Sequence, residues 1–362
     1  MEIIKQGVVL RNNSGYFQFH GWPSACVDEK GTLYAVCSGQ RIGHLCPTGK
    51  TLMGVSYDNG ETWSSPIIVN DTELDDRDAG IISIGENELL LTWFNNPAKN
   101  YRQYYQDGMR ISGFSDIEQA IIEGYLNAVE LLPDDTSGSF IRISKDSGKS
   151  WSEKIKVPVS APHGPIKLSD GRLLYLGRET DSNIEQKDRH ICAAESKDGG
   201  KSWNIISKID FPDGYTGESM HEPHVVELSN GSLLGAIRWH TDNPDYALSL
   251  SILLSYSNDG GYTWTKPQPT GIQGIPPHLM RHSSGAVILS YADRYIKPGE
   301  KVKISYDDGK TFGEELVLDV PLEAEAGYPC TVELPDKSLF TVYYQRLKGD
   351  KSPSILYTKW KL

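Results

Sequence analysis

One eight-residue phrase recurs through this chain at wide intervals. SYDNGETW runs from Ser56 to Trp63, and near copies follow as SKDSGKSW from Ser144, SKDGGKSW from Ser196, SNDGGYTW from Ser257 and SYDDGKTF from Ser305. A short motif repeated at such spacing points to architecture before chemistry. Asp, a Gly two residues later, and Ser or Thr before an aromatic describe a tight hairpin turn. The carboxylate accepts N–H groups across the turn, Gly supplies a positive φ, and the aromatic packs between sheets. The aspartates Asp58, Asp146, Asp198, Asp259 and Asp307 are therefore expected to be structural.

A second pattern runs out of phase with the first. Six segments, among them HEPHVVELSNGSLLGAIR and GYPCTVELPDKSLFTVYY, each read as an apolar strand, a polar turn and a second apolar strand. Five are followed by the Asp-containing turn and the last is not. Short strands in fours at this period predict an all-β fold, a six-bladed β-propeller occupying residues 1–362 as one domain. The last blade has three clear strands, so the N-terminal run Ile3–Leu10 is expected to close the ring as its outer strand. The aspartates of the turns lie 88, 52, 61 and 48 residues apart. The long first interval contains SDIEQAIIEGYLNAVELL, with apolar residues at helical spacing, Ser115 as N-cap and Pro133 beyond the end. This predicts a helical insertion in blade 2 at about 97–138.

The net charge of -12 argues against nucleic-acid and anionic-membrane partners, and no window is apolar for the length of a membrane span. The start, MEIIKQGVVL, lacks the pattern of a signal peptide, and five cysteines without CxxC spacing read as reduced thiols. Together these point to a cytoplasmic protein.

In a propeller the site lies where first strands begin and second strands end, around the central funnel. Counting nine residues back from each hairpin turn gives Trp22, Asp78, Glu222, Pro276 and Tyr328, with His163 offered by the irregular third blade. Asp, Glu and Tyr in one repeated slot are not what packing asks for. The second strands end in Arg41, Arg178, Arg238, Arg294 and Arg346. On an acidic protein such a rim suits a carboxylate, held by bidentate hydrogen bonds. Pairing with acids is the expected role of Arg178 and Arg346, and ligand binding that of Arg41, Arg238 and Arg294. Arg77, next to Asp78, joins the binding set. Histidines also gather at strand starts, as His20, His163, His221 and His278, with His224 just inside. No HxH or HExxH spacing supports a metal, and no cofactor is expected.

The Ser-x-Asp-x-Gly-x-Ser/Thr-Trp turns resemble the Asp boxes of sialidases, and six blades match the sialidase fold. The resemblance covers almost the whole chain. It implies an exo-acting glycosidase that takes a small or oligosaccharide substrate ending in a sialic acid or related acidic sugar. Tyr328 in GYP then corresponds to the nucleophile, Glu222 to its proton acceptor, and Arg238 and Arg294 to two clamping arginines. Arg41 resembles the extra arginine after the first hairpin. Two features depart from the family. Trp22-Pro23 stands where the first clamping Arg is expected, and the loop RIGHLCPTGK has no carboxylate for the acid/base. Asp78 is the first replacement acid and His44 the second. Trp22 offers a stacking face for a sugar, with His163, His221 and His278 alongside. Two other readings remain open: a polysaccharide lyase or uronate-processing propeller using Tyr and His, and a non-catalytic glycan-binding propeller.

Overall fold

The computed structural model describes residues 1–107, 113–133, 136–241 and 250–362. Its strands form six antiparallel sheets arranged as the blades of a propeller. Blade 1 is built from Phe19–Val27, Leu33–Arg41, Lys50–Ser56 and Ile67–Asn70, in that order from the axis outward. Blades 2, 4 and 5 repeat this order from inner strands Arg77–Gly85, Met220–Glu227 and His278–Arg281. In blade 3 the inner strand is broken: Val159–Ser160 and Ile166–Lys167 both pair with Leu173–Glu179. Blade 6 consists of Gly327–Glu333, Leu339–Gln345 and Ser354–Lys361, and the N-terminal strand Glu2–Leu10 pairs with Ser354–Lys361 as its outer strand. The first and last strands of the chain thus share one sheet.

Between the second and third strands of blade 2 lie two helices, α1 (Ala98–Gln106) and α2 (Asp116–Val129). Ser115 caps α2 in a reciprocal capping box with Glu118. Helix α1 was not legible in the sequence: AKNYRQYYQ is polar and aromatic, and its N-terminus carries no side-chain cap. Residues 108–112 and 134–135 of the expected insertion lie outside the described residues.

The five Asp-containing turns share one geometry. In the first, Asp58 Oδ1 accepts from Ser56 Oγ at 2.8 Å and Thr62 N at 2.9 Å, while Asp58 Oδ2 accepts from Thr62 Oγ1 at 2.5 Å. Gly60 has φ +82°, and a Cβ there would lie 2.3 Å from Phe340 of blade 6. The same collision is set up at Gly200 with Leu90 of blade 2 (2.8 Å) and at Gly309 with Leu234 of blade 4 (2.4 Å). Each box therefore does two things. It closes its own hairpin, and it presses bare backbone against the preceding blade. All five cysteines are buried and unbridged.

Candidate active site

Four inner strands deliver one side chain each to the central funnel by the same backbone device. Trp22, Asp78, Glu222 and Tyr328 have φ of 54°, 50°, 41° and 57°. Each stands in a break of the ladder register, between Gly21 and Ser24, Arg77 and Gly80, His221 and His224, and Gly327 and Cys330. A bulge re-aims a side chain that regular alternation would send elsewhere. Positive φ in bulky residues is strained, and such strain gathers at functional sites.

At the centre the Tyr328 hydroxyl donates to Glu222 Oε1 at 2.5 Å, and Arg238 Nη1 donates to Glu222 Oε2 at 2.6 Å. Burial, and then the nearby Glu222 and Asp78, push the Tyr328 phenol well above its ordinary range. Burial also pushes the Glu222 carboxyl up, but Arg238 and the Tyr328 hydroxyl outweigh it and hold Glu222 below its usual value. The resting pair is thus a neutral phenol beside a carboxylate ready to accept its proton. Arg294 lies with its guanidinium carbon 5.6 Å from the Tyr328 ring centroid, and its Nε and Nη2 are buried with no hydrogen-bond partner. Gly327 makes room for it, since a Cβ there would meet Arg294 Nη2 at 3.0 Å.

Asp78 is nearly buried, and its Oδ1 has no hydrogen-bond partner. Burial raises its carboxyl to about 7; Arg77 opposes that shift and Glu222 adds to it. A carboxyl so placed is partly protonated at neutral pH and can both give and take a proton. His44 is partly exposed, with Nδ1 2.8 Å from Glu325 Oε1. Glu325 also accepts from the Tyr344 hydroxyl at 3.0 Å. His221 places Nε2 2.7 Å from the Glu218 carbonyl. Burial, then Arg178, lower its pKa to about 4.

Five residues expected to bind substrate are placed otherwise: Trp22, Arg41, His163, His278 and Arg77, the last almost buried with Nη1 on the His44 carbonyl at 2.8 Å. Trp22 is 1% exposed. Its ring is crowded by Arg77 (guanidinium carbon 4.2 Å from the centroid), Arg41 (4.9 Å) and His44 (4.9 Å between centroids), so a sugar has no face to stack on. Arg41 is 0% exposed and gives both terminal nitrogens to Asp75. His163 and His278 pack with His224 as three buried rings, with centroids 4.3 to 5.6 Å apart. Burial depresses the pKa of all three, that of His163 to about 3. They fill the core of the ring as neutral imidazoles. Arg178 donates to Gln186 and to the Gly217 carbonyl, and Arg346 pairs with Glu323, both in structural roles.

The sequence reading missed Asp75, three residues before Asp78, and Glu325, three residues before Tyr328. Acids just ahead of a slot residue were the available signal. Among the described residues, no group of three or more His, Cys, Asp or Glu side chains is arranged to hold a metal ion. A cleft of about 750 Å³ opens on the flank between blades 4 and 5, beside Tyr256, Lys301 and Phe312, and none of the funnel residues lines it.

Residues 127–341, more than half of the chain, match the family model described as BNR repeat-like domain. A sialidase from Bacteroides fragilis is 26% identical over 226 residues, which are 56% of this chain and 38% of that protein, so the match spans well under half of the relative's length. Among solved structures, a protein of unknown function from Dyadobacter fermentans superposes with a TM-score of 0.78 at 19% identity, covering 99% of this chain and 98% of its own. The NanB sialidase from Streptococcus pneumoniae gives 0.70 at 16% identity, covering 98% of this chain and 70% of its own. Boxes, blades and family match agree: the chain belongs to the BNR repeat-like family and is a six-bladed propeller of the sialidase superfamily.

Proposed function

We propose that this propeller is an exo-acting glycoside hydrolase that removes a terminal acidic sugar, a sialic acid in the first instance, with Tyr328 as nucleophile. The observation that carries the reading is the chain of contacts from Tyr328 to Glu222 to Arg238 at the funnel's centre. Tyr328 Oη attacks the anomeric carbon while its proton passes to Glu222. Asp78, in its protonated form, gives its proton to the leaving oxygen as the glycosidic bond breaks. Water then attacks the glycosyl-tyrosine and Asp78 takes the water's proton. The departing phenolate recovers its own proton from Glu222. Tyrosine nucleophiles are a known exception to the two-carboxylate rule. A neutral nucleophile also spares an anionic substrate the repulsion of a third carboxylate. The unpartnered Nε and Nη2 of Arg294, with Nε of Arg238, are the donors for the substrate carboxylate. The likeness to a named sialidase supports the substrate class. The test is a panel of aryl glycosides, sialosides included, with detection of free sugar. Release from sialosides is expected, and binding without release from any member overturns the reading.

A further inference from the structure

The funnel wall of blades 1 and 2 holds a charge arrangement that the proposed chemistry does not use. Arg41 and Arg77 both lie within 5 Å of the Trp22 ring centroid, and both are almost fully buried. Two guanidiniums so close in a dry site repel each other, and they persist only if acceptors are fixed between them. The shared carboxylate is Asp75, which is 0% exposed and binds both terminal nitrogens of Arg41, with Arg77 Nη1 at 3.7 Å. The main chain completes the set. The His44 carbonyl accepts from Arg41 Nη2 at 2.9 Å and from Arg77 Nη1 at 2.8 Å. Gly49 is required here, because a Cβ would collide with both Arg41 and Asp75.

The remaining donor to Asp75 comes from outside the blades. Tyr101 of α1 is 1% exposed and donates its hydroxyl to Asp75 Oδ2. The insertion is seated on the same two loops by further contacts: Tyr105 donates to the Leu45 carbonyl at 2.6 Å and Tyr125 to the Glu73 carbonyl at 2.9 Å. Trp22 in turn meets the Tyr328 ring edge-on, with centroids 6.5 Å apart at 81°. A continuous path of packed and hydrogen-bonded groups thus runs from the insertion through Asp75, the two arginines and Trp22 to the proposed nucleophile.

We propose that Tyr101 is a positioning residue for the funnel: by fixing Asp75 it holds Arg41 and Arg77 on Trp22, and so sets Trp22 behind Tyr328. The helical insertion then completes the site rather than decorating it. The inference rests on the reading of Tyr328 as nucleophile, but its first test does not depend on turnover.

The protein is labelled with 5-fluorotryptophan, and the Trp22 resonance is assigned by its loss in Trp22→Tyr. Tyr101→Phe is compared with Tyr125→Phe, which also removes one hydroxyl bond between the insertion and the loop ahead of blade 2 but leaves Asp75 untouched. The Trp22 resonance is expected to move in Tyr101→Phe and to stay in Tyr125→Phe. On an aryl sialoside, Tyr101→Phe should lower kcat about tenfold with KM changed less than about twofold, as for a small misplacement of a reacting group. A Trp22 resonance unmoved in Tyr101→Phe overturns the proposal, as does an equal loss of kcat in the two variants. If the wild-type protein turns over no glycoside, the hydrolase reading falls and the resonance alone decides the role of Tyr101.

Discussion

Tyr328 and Glu222, 106 residues apart in sequence and on blades 6 and 4, share a 2.5 Å hydrogen bond across the propeller axis. Both stand at positive φ in a ladder bulge, and Arg238 holds the far oxygen of Glu222. The pair is therefore set by backbone geometry, and its chemistry follows from that placement.

Glu222→Gln keeps the shape of the side chain and removes the proton acceptor. Formation of the glycosyl-enzyme should slow by roughly 10²–10⁴-fold, the usual loss for a general base. Pre-steady-state release of an aryl leaving group measures it. A variant with wild-type burst rate removes Glu222 from the mechanism.

Asp78 is held up to about 7 by burial, so it carries its proton below that pH and loses it above. Turnover of substrates with poor leaving groups should fall as pH rises through about 7. Activated aryl glycosides, which need little protonation, should be much less affected. Asp78→Asn should slow the poor substrates at every pH and remove their fall through about pH 7. An unchanged alkaline limb in that variant assigns the limb to another group.

Arg294 has two buried N–H groups waiting for an acceptor. Its replacement by Ala should weaken binding of a carboxylate ligand by about 1.5–3 kcal/mol, the range for a charged hydrogen bond. Calorimetry with the acid and its methyl ester decides the point, since the ester should gain nothing from Arg294. Equal affinity for acid and ester in the wild-type protein contradicts this role.

The fold was legible because its punctuation is local. Asp58, Gly60 and Thr62 lie within five residues, and the hydrogen bonds that make the turn lie within the motif itself. The slot holding Asp78, Glu222 and Tyr328 was legible for the same reason, as a fixed count from the hairpin turn. What the count misses is how each side chain is covered. Trp22 occupies the slot, but Arg77, packed on it at 4.2 Å, comes from the next blade. Arg41 ends its strand at the rim, yet Asp75 consumes it from a loop 34 residues on. His278 begins an inner strand and His163 lies in the break of another, and both rings pack into the core beside His224. Long-range partners leave no trace in a repeat.

The box aspartates should govern acid stability rather than catalysis. In Asp198 the hydroxyl and backbone N–H of Ser202 hold the carboxyl down to about 2. Its unfolded value is near 3.9, so the stabilisation is present above about pH 4 and is lost as pH falls through about 2. Asp198→Ala should melt earlier at neutral pH, lose less stability between about pH 4 and 2, and keep wild-type kcat. Thermal melts across that window, paired with kinetics at pH 7, test it. Abolished turnover at unchanged melting temperature contradicts a purely structural role.

The central claim is that Tyr328 becomes covalently attached to the substrate sugar. The direct measurement is inactivation by a fluorinated sialosyl fluoride followed by peptide mass mapping, run on the wild-type protein and on Tyr328→Phe. An adduct on Tyr328, no adduct anywhere in Tyr328→Phe, and a variant that remains folded and binds ligand are the predicted results. An adduct on a different residue, or undiminished turnover in Tyr328→Phe, contradicts the account.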